Sequence, residues 1–308
     1  MSNIAFVFPG QGSQFPTMAK DFYTQFEVSR RVFDLAEEVT GIDMPRLCFE
    51  ENTKLNMTEY TQIAMLTAEA AILSAVKEQG ISSQVNAGLS LGEYAALIAS
   101  GGLSEKDAFS IIRKRGIYME QAYPTGGAMA AVFGISAEII KKICEETQGD
   151  VFVANYNCPG QTVITGQEQA VYLAGEKLKK AGARRVVPLR VSGPFHCCLM
   201  NKAGIQLEDA LENIEIHSLK IPYVSNVTGG YVRKSSEVKK LLVKQVSSSV
   251  RWQQCVEEMI RNGVDTFIEI GPGKTLTGFI KKIDKNCRAF HVEKIEDLDV
   301  VRKECYKC

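Results

Sequence analysis

The sequence predicts an α/β protein with a parallel sheet at its core and a small second subdomain inserted into it. Three observations lead to this prediction: a continuous apolar run at 4–8, a serine between glycines at 88–92, and alternating strand and helix patterns over 128–189. A continuous apolar run is typical of a strand that is buried on both faces of a parallel sheet. The 308 residues are enough for one large α/β domain or for two smaller ones.

The first part of the chain predicts one strand followed by helices. The run 4–8 ends at Pro9-Gly10, as a strand that enters a loop does. Only this one convincing strand precedes Ser90. Apolar residues at three- and four-residue spacing, together with the segment after the serine, predict helices at about 18–38, 58–77, 93–100 and 105–122.

The middle of the chain predicts the inserted subdomain. Its order is β-α-β-β-α-β, which is the ferredoxin-like pattern. The predicted boundaries are 126–193 for this subdomain, with 1–125 and 194–308 forming the large one. The strands are expected at 128–133, 151–156, 162–165 and 185–189, with helices at 137–147 and 167–180. Further strands of the large subdomain are expected at 221–225, 266–270 and 288–291.

Composition excludes several classes of protein. Lys and Arg number 36 and Asp and Glu also number 36, so nothing in the overall charge favours nucleic acid or an anionic membrane surface. No apolar run approaches the ~20 residues of a membrane span, and Met1-Ser2-Asn3 leads into the first strand without a signal-peptide pattern. The expectation is a cytoplasmic monomer.

The cysteines and one glycine-rich segment carry no predicted site. Nine scattered cysteines, an odd number, suit reduced thiols better than a disulfide framework. Cys305 and Cys308 have a metal-like spacing but no second pair nearby, so no metal is expected. Gly271-Pro272-Gly273-Lys274-Thr275 resembles the end of a phosphate loop without its first glycine, and a strand-to-helix turn is the better interpretation.

Gly88-Leu89-Ser90-Leu91-Gly92 is the strongest chemical signal in the chain. The spacing is that of a nucleophile elbow, in which a serine on a tight strand-to-helix turn exposes its hydroxyl. The following helix start offers unpaired N–H groups to an oxyanion. Such pentapeptides also occur in ordinary turns, so the motif alone leaves both interpretations open.

A nucleophilic serine needs a base, and the chain contains only three histidines. His217 lies in an alternating segment and His291 in a short terminal strand, so structural or surface roles are expected for both. His196 follows Gly193-Pro194-Phe195, a stretch suited to an irregular turn at a subdomain boundary. His196 is therefore the candidate base, with a satisfied core histidine as the alternative.

The order of elements separates classes of serine enzyme. An α/β-hydrolase elbow normally follows several strands, which disfavours a lipase even though Ser90, Asp150 and His196 occur in the order of that fold. An acyl transferase can omit the acid, because a backbone carbonyl can also hold the imidazole tautomer.

Several motifs together carry a family resemblance that spans about 4–283. The motifs are Phe8-Pro9-Gly10-Gln11-Gly12-Ser13-Gln14, Gly88-Leu89-Ser90-Leu91-Gly92-Glu93-Tyr94, Arg115-Gly116, Gly193-Pro194-Phe195-His196 and Glu269-Ile270-Gly271-Pro272-Gly273. In this order and spacing the chain resembles a malonyl-CoA:acyl carrier protein transacylase of bacterial fatty-acid synthesis. The resemblance implies an α/β-hydrolase-like core with a ferredoxin-like insert.

The resemblance implies roles for individual catalytic residues. Ser90 is acylated, and His196 is the general base and acid. The backbone N–H groups of Gln11 and Leu91 form the oxyanion hole, and the carbonyl of Gln245 orients the histidine. Without the resemblance, Gln245 would be interpreted as a solvated helix residue.

The resemblance also implies a substrate site. Arg115 matches the arginine that pairs with the malonyl carboxylate, although its local sequence Arg113-Lys114-Arg115 looks like a solvated helix face. Gln62 and Asn157 match positions near the substrate. Phe195 resembles the malonyl-selective version of its motif. Two departures are Leu89, where the family often has histidine, and Ile63, where proline often follows the glutamine.

The function expected from the resemblance is ping-pong transfer of malonyl from malonyl-CoA to the phosphopantetheine thiol of acyl carrier protein, with no further cofactor. Alternatives are an acyltransferase that loads a polyketide or polyunsaturated-fatty-acid synthase, a serine esterase, and a catalytically silent binding module. Carrier proteins of this kind are typically acidic. The candidate docking charges are Lys179, Lys180, Arg184, Arg185, Lys281 and Lys282.

Overall fold

Two β-sheets organise the part of the chain that the structure, a computed structural model, describes: residues 3–191 and 193–305. Strands are numbered in chain order. The six-stranded sheet contains β1 (Ile4–Phe8), β2 (Val85–Gly88), β7 (Tyr223–Val224), β8 (Tyr231–Val232), β9 (Thr266–Ile270) and β10 (Arg288–Val292). The four-stranded sheet contains β3 (Gly127–Phe133), β4 (Val151–Cys158), β5 (Gln161–Gln167) and β6 (Arg185–Pro188).

Helices pack on both faces of the large sheet, and further helices pack on the small one. Before the small sheet come α1 (Lys20–Gln25), α2 (Glu27–Thr40), α3 (Met44–Phe49), α4 (Thr58–Glu78), α5 (Gly92–Ala99) and α6 (Glu105–Ala122). Between the strands of the small sheet, along the chain, come α7 (Ala137–Glu145) and α8 (Glu168–Lys180). The remaining helices are α9 (Asn201–Glu212), α10 (Val238–Val246), α11 (Trp252–Arg261), α12 (Thr275–Ile283) and α13 (Ile295–Cys305).

β1 lies at the centre of the large sheet, whose strand order is β10-β9-β1-β2-β7-β8. All neighbours are parallel except the pair β7 and β8. Side chains of β1 alternate between two cores: Phe6 and Phe8 pack with α4 and α6, while Ala5 and Val7 pack with α11 and α12. Burial on both faces explains why the run is continuously apolar, and the predicted parallel strand is confirmed.

The small sheet has the order β4-β5-β3-β6 and is antiparallel throughout. The helices α7 and α8 pack against it around a separate apolar core that includes Val132, Ile164 and Leu178. The element order β-α-β-β-α-β confirms the predicted ferredoxin-like insert. The subdomain boundaries 1–125, 126–193 and 194–308 stay a prediction.

Two expectations about the first part of the chain are wrong. The helix expected at 18–38 is two helices, because Phe26 adopts an extended backbone between them and its ring stacks on Phe22. A second strand, β2, precedes Ser90; it is short and contains the polar Asn86. Asn86 is tolerated inside the sheet because its amide is satisfied by the hydroxyls of Ser83 and Ser100, at 2.7 and 2.8 Å.

Local signals place several element ends as expected. The α6 helix begins after Ser104, whose hydroxyl accepts from the backbone N–H of Asp107 at 3.0 Å. The segment 271–274 connects β9 to α12, which confirms the predicted strand-to-helix turn. Within residues 3–191 and 193–305, no helix is both long and apolar enough to cross a membrane.

Candidate active site

The segment 88–92 forms a tight turn between β2 and α5, with Ser90 at φ 55°. A β-carbon on Gly88 would lie 1.9 Å from the backbone of Gly92, and one on Gly92 would lie 2.4 Å from the carbonyl of Phe8. Both positions therefore require glycine. The turn presents the Ser90 hydroxyl at the carboxyl edge of the parallel sheet, as the elbow pattern predicts.

Asn226 stabilises this strained turn from the side. Its Oδ1 accepts from the Ser90 N–H at 2.7 Å, and its Nδ2 donates to the Gly88 carbonyl at 2.7 Å. Asn226 is fully buried and follows β7, the neighbour of β2 in the sheet. The sequence analysis missed this residue. A polar residue directly after a buried parallel strand was the signal that could have found it.

His196 contacts the serine directly. Its Nε2 lies 2.8 Å from Ser90 Oγ, and its Nδ1 lies 3.0 Å from the backbone carbonyl of Gln245. Because a carbonyl only accepts, we assign the proton to Nδ1, which leaves Nε2 free to accept the serine proton. Burial, followed by the charge of Arg115, lowers the pKa of His196 to about 4. The imidazole is therefore neutral at neutral pH, as a base must be.

The partner of His196 Nδ1 also decides against a Ser-Asp-His arrangement. The position of the acid is taken by the Gln245 carbonyl, and Asp150 is exposed. Gln245 itself is fully buried in α10, so its local interpretation as a solvated residue is wrong. The structure brings Ser90, His196 and Gln245 together, as the resemblance implied.

Arg115 lies inside the site rather than on a solvated helix face. It is 1% exposed, and its Nη2 donates to Ser90 Oγ at 3.1 Å. The guanidinium also donates to the side-chain carbonyls of Gln62, at 2.6 Å, and Gln245, at 2.9 Å. The interpretation of 113–115 as a solvated face is thus wrong for Arg115. Arg113 on the same helix is partly exposed and pairs with Glu59 at 2.9 Å.

A buried cation beside the nucleophile has a clear chemical consequence. All three of its protein acceptors are neutral oxygens, on Gln62, Gln245 and Ser90. Burial lowers the pKa of Arg115, but a guanidinium remains protonated in proteins. The site therefore favours an acyl group that brings a negative charge to the guanidinium.

The loop after β1 approaches the elbow because β1 and β2 are neighbours in the sheet. A β-carbon on Gly10 would lie 2.7 Å from the side chain of Leu89, so loop and elbow are in close contact. Gln11 and Leu91 both line the cleft around Ser90. Among residues 3–191 and 193–305, neither of their backbone N–H groups has a hydrogen-bond partner. Both remain available for an oxyanion, which fits the implied role.

The cleft lies between the two sheets and has a volume of about 230 Å³. Phe195 and Asn157 line it, and both are buried. The Oδ1 atom of Asn157 has no hydrogen-bond partner among the described residues, so it is free to accept from a substrate. Gln62 lies deeper, where its Nε2 contacts the sulfur of Met119 at 3.4 Å. The structure thus brings Gln62, Phe195 and Asn157 to one cleft, and Arg115 lies behind it in contact with Gln62.

The other sequence candidates lie elsewhere. His217 is at the surface, 3.4 Å from Glu215, and His291 is on the edge strand β10. Cys305 ends α13, and Cys308 lies outside the described residues. In the described ranges, no three His, Cys, Asp or Glu side chains form a metal-like cluster. The candidate docking cations Lys180, Arg184, Arg185, Lys281 and Lys282 are exposed, and Lys179 pairs with Glu176.

Comparisons with known proteins agree with this geometry. Residues 5–302 match the family described as "Acyl transferase domain". The chain is 43% identical over 305 residues to a malonyl CoA-acyl carrier protein transacylase of Bacillus subtilis, covering 97% of this chain and 96% of that protein. It is similar to the crystal structure of such a transacylase from Clostridium perfringens, with a TM-score of 0.95, 42% identity and coverage of 99% and 97%. It is also similar to a malonyl-transacylase solved with a type II PKS acyl-carrier protein, with a TM-score of 0.96, 39% identity and coverage of 98% and 100%.

Proposed function

The chain belongs to the acyl transferase family, and we propose that it transfers a malonyl group from malonyl-CoA to the phosphopantetheine thiol of an acyl carrier protein. One observation carries this proposal: the buried Arg115 cation donates a hydrogen bond to the Ser90 hydroxyl. An acyl group on Ser90 would therefore have a guanidinium beside it. Malonyl carries a free carboxylate that such a planar fork can bind through both oxygens.

The first half of the reaction loads the serine. Ser90 Oγ attacks the thioester carbonyl carbon while its proton moves to His196 Nε2. The negative charge that forms on the carbonyl oxygen is stabilised by the N–H groups of Gln11 and Leu91. The C–S bond then breaks, and the CoA sulfur takes the proton from His196. The product is a malonyl ester on Ser90 and free CoA.

The second half repeats these steps with a different nucleophile. The carrier thiol gives its proton to His196 Nε2, and its sulfur attacks the ester carbonyl. Ser90 Oγ leaves and takes the proton back, so the enzyme returns to its starting state. The apolar side chains that line the cleft, among them Met129, Val163 and Phe195, help to exclude water from the ester.

Three further statements are part of the proposal. The chemistry uses only side chains and backbone groups of this chain, so we propose no cofactor beyond the substrates. We propose that the enzyme is a monomer. We also propose a cytoplasmic location, which is supported by the free thiols of the cysteines in the described part of the chain.

The carrier protein can come from fatty-acid or from polyketide synthesis. The malonyl-transacylase solved with a type II PKS carrier favours keeping the second as a candidate. On this chain, the docking candidate Lys282 lies beside the cleft, because its Nζ contacts Gln161 at 3.4 Å and Gln161 lines the cleft. Transfer rates with both kinds of carrier would separate the two functions.

Mass spectrometry of the intact protein tests the proposal. After mixing with malonyl-CoA, one malonyl group is expected on the wild type and none on Ser90→Ala. The exposed Cys198 lies close to His196 in sequence, so Cys198→Ser is the control and should load normally. Labelling that persists in Ser90→Ala would contradict the assignment of the nucleophile. Sustained hydrolysis of simple esters would favour an esterase, and absence of any loading would favour a silent binding module.

A further inference from the structure

The side-chain amide of Gln245 makes hydrogen bonds within the active site through both its nitrogen and its oxygen. Its Nε2 donates to the Ser90 carbonyl at 2.9 Å and to Glu93 Oε2. Its Oε1 accepts from Arg115 Nη2 at 2.9 Å. The two ends of the amide therefore meet partners of opposite character, acceptors on one side and a donor on the other.

Glu93 and the Ser90 carbonyl make this arrangement directional, and of the two only Glu93 acts through its side chain. It is fully buried in the first turn of α5, three residues after the nucleophile. If the amide were turned over, its oxygen would face the oxygens of Glu93 and Ser90, and its NH₂ group would face the guanidinium. Each buried mismatch of this kind leaves a polar group unpaired, which strongly disfavours the turned-over amide. Together with the Ser90 carbonyl, Glu93 therefore fixes which end of Gln245 points at Arg115.

Glu93 also lies within the electrostatic reach of Arg115. Burial raises the pKa of Glu93 to about 7, against the opposing effects of the Gln245 amide and the Arg115 charge. Protonation of the other carboxyl oxygen would leave Oε2 able to accept from Gln245. The contact to the amide is thus independent of the charge state of Glu93.

We propose that Glu93 is a positioning residue for Arg115: through the Gln245 amide, it holds the guanidinium where a carboxylate on the acyl group can reach it. The proposal rests on the proposed function, since it assigns to Glu93 a share in malonyl selectivity. Arg115 is long and has several rotamers, and Gln62 alone restrains only its Nη1 end. The Gln245 oxygen restrains the Nη2 end, together with Ser90 Oγ, which becomes an ester oxygen when the serine is acylated.

Two substitutions separate the accepting oxygen from a general structural role. Glu93→Gln keeps an oxygen that can accept from Gln245, whereas Glu93→Leu removes it. The measured quantity is the ratio of the acylation rates of Ser90 with malonyl-CoA and acetyl-CoA, because general damage to the fold lowers both rates together. A misplaced guanidinium should lower the ratio about tenfold or more in Glu93→Leu, and by about threefold or less in Glu93→Gln.

Three more variants make the result interpretable. Gln245→Met removes the amide but keeps the backbone carbonyl for His196, so it should show the same loss of ratio even if Glu93→Leu does not fold. In that background, Glu93→Gln should change the ratio no further, because the two residues act in one chain of contacts. The control is Glu69→Leu, which removes a fully buried carboxyl of α4 outside this network. The ratio of malonyl to acetyl acylation rates in Glu69→Leu should match that of the wild type.

Crystal structures of free Glu93→Leu and free wild type provide a test that does not depend on malonyl. Loss of the Arg115–Gln245 contact supports the proposal, and an intact contact overturns it. An unchanged ratio in Gln245→Met, or equal losses in Glu93→Gln and Glu93→Leu, would also overturn it. Failure of the wild type to take up malonyl would instead contradict the proposed function, while the two crystal structures would still decide the role of Glu93.

Discussion

Replacement of Arg115 tests the origin of malonyl selectivity most directly. Arg115→Met removes the guanidinium but keeps a long apolar side chain in the buried position. A charge-assisted contact to a carboxylate is worth about 1.5–3 kcal/mol, which corresponds to a loss of roughly 10- to 150-fold in kcat/KM for malonyl-CoA. Acetyl-CoA has no carboxylate, so its kcat/KM should change little. The malonyl-to-acetyl ratio is therefore expected to fall by at least about tenfold.

This substitution has two side effects, and the choice of assay pH keeps the first of them out of the measurement. Burial and the charge of Arg115 both lower the pKa of His196, so removal of the charge raises that pKa part of the way towards the ordinary value. Assays at about pH 8 keep the imidazole neutral in both proteins. The variant also leaves the Gln62 and Gln245 oxygens without their donor, which should lower the free energy of unfolding by about 1–3 kcal/mol for each.

The assay is acyl-enzyme formation on Ser90, followed by rapid quenching and mass spectrometry with each CoA ester. Arg115→Lys should recover part of the malonyl rate, because a point charge reproduces the attraction but not the planar two-oxygen contact. Arg113→Met is the matched control on the same helix, since Arg113 is partly exposed and pairs with Glu59. An unchanged ratio in folded Arg115→Met would refute the role assigned to the guanidinium.

The pH dependence and the elbow provide two further predictions. Because the pKa of His196 is lowered to about 4, the acylation rate should rise with pH around that value and stay flat towards neutrality; a midpoint near the ordinary 6.5 would contradict a buried neutral base. The folded state resists protonation of His196, so the free energy of unfolding should decrease as pH falls from about 6.5 towards 4. In the elbow, Gly88→Ala places a β-carbon 1.9 Å from backbone, and we expect a loss of more than about 3 kcal/mol in denaturant unfolding, or no folded protein. Gly278→Ala is its control, because nothing lies within 4 Å of the new carbon on α12; it should be neutral or stabilising by up to about 1 kcal/mol, and equal losses in the two variants would contradict the steric argument.

The sequence predicts the elements whose signals are local. The strand β1 is continuously apolar because both of its faces are buried, and α6 begins at a capping serine. The ferredoxin-like insert follows from the order of its strands and helices. The sequence does not predict the strand β2, because it has only four residues and a polar Asn86 in its second position. Only the neighbouring hydroxyl groups, one of them 14 residues away, make that amide acceptable in the core.

The residues of the site also divide into those that a local sequence signal predicts and those that it does not. Ser90 and His196 can be found from the glycine spacing and from the scarcity of histidine. The burial of Arg115 cannot be found locally, because the oxygens that satisfy it lie 53 and 130 residues away, on Gln62 and Gln245. A basic helix segment looks solvated until such acceptors are known. Asn226 is missed for the same reason, since its partner Ser90 is 136 residues away.

Strain connects these distant contacts to catalysis. Ser90 and His196 both have positive φ, 55° and 63°, which for residues other than glycine costs on the order of 1–3 kcal/mol each. Such conformations persist only where the surroundings hold them. Asn226 binds the backbone on both sides of the elbow, and Gln245 reaches both strained residues, since its amide binds the Ser90 carbonyl and its own carbonyl binds His196. The polar residues that the local sequence does not explain are thus those that keep nucleophile and base 2.8 Å apart.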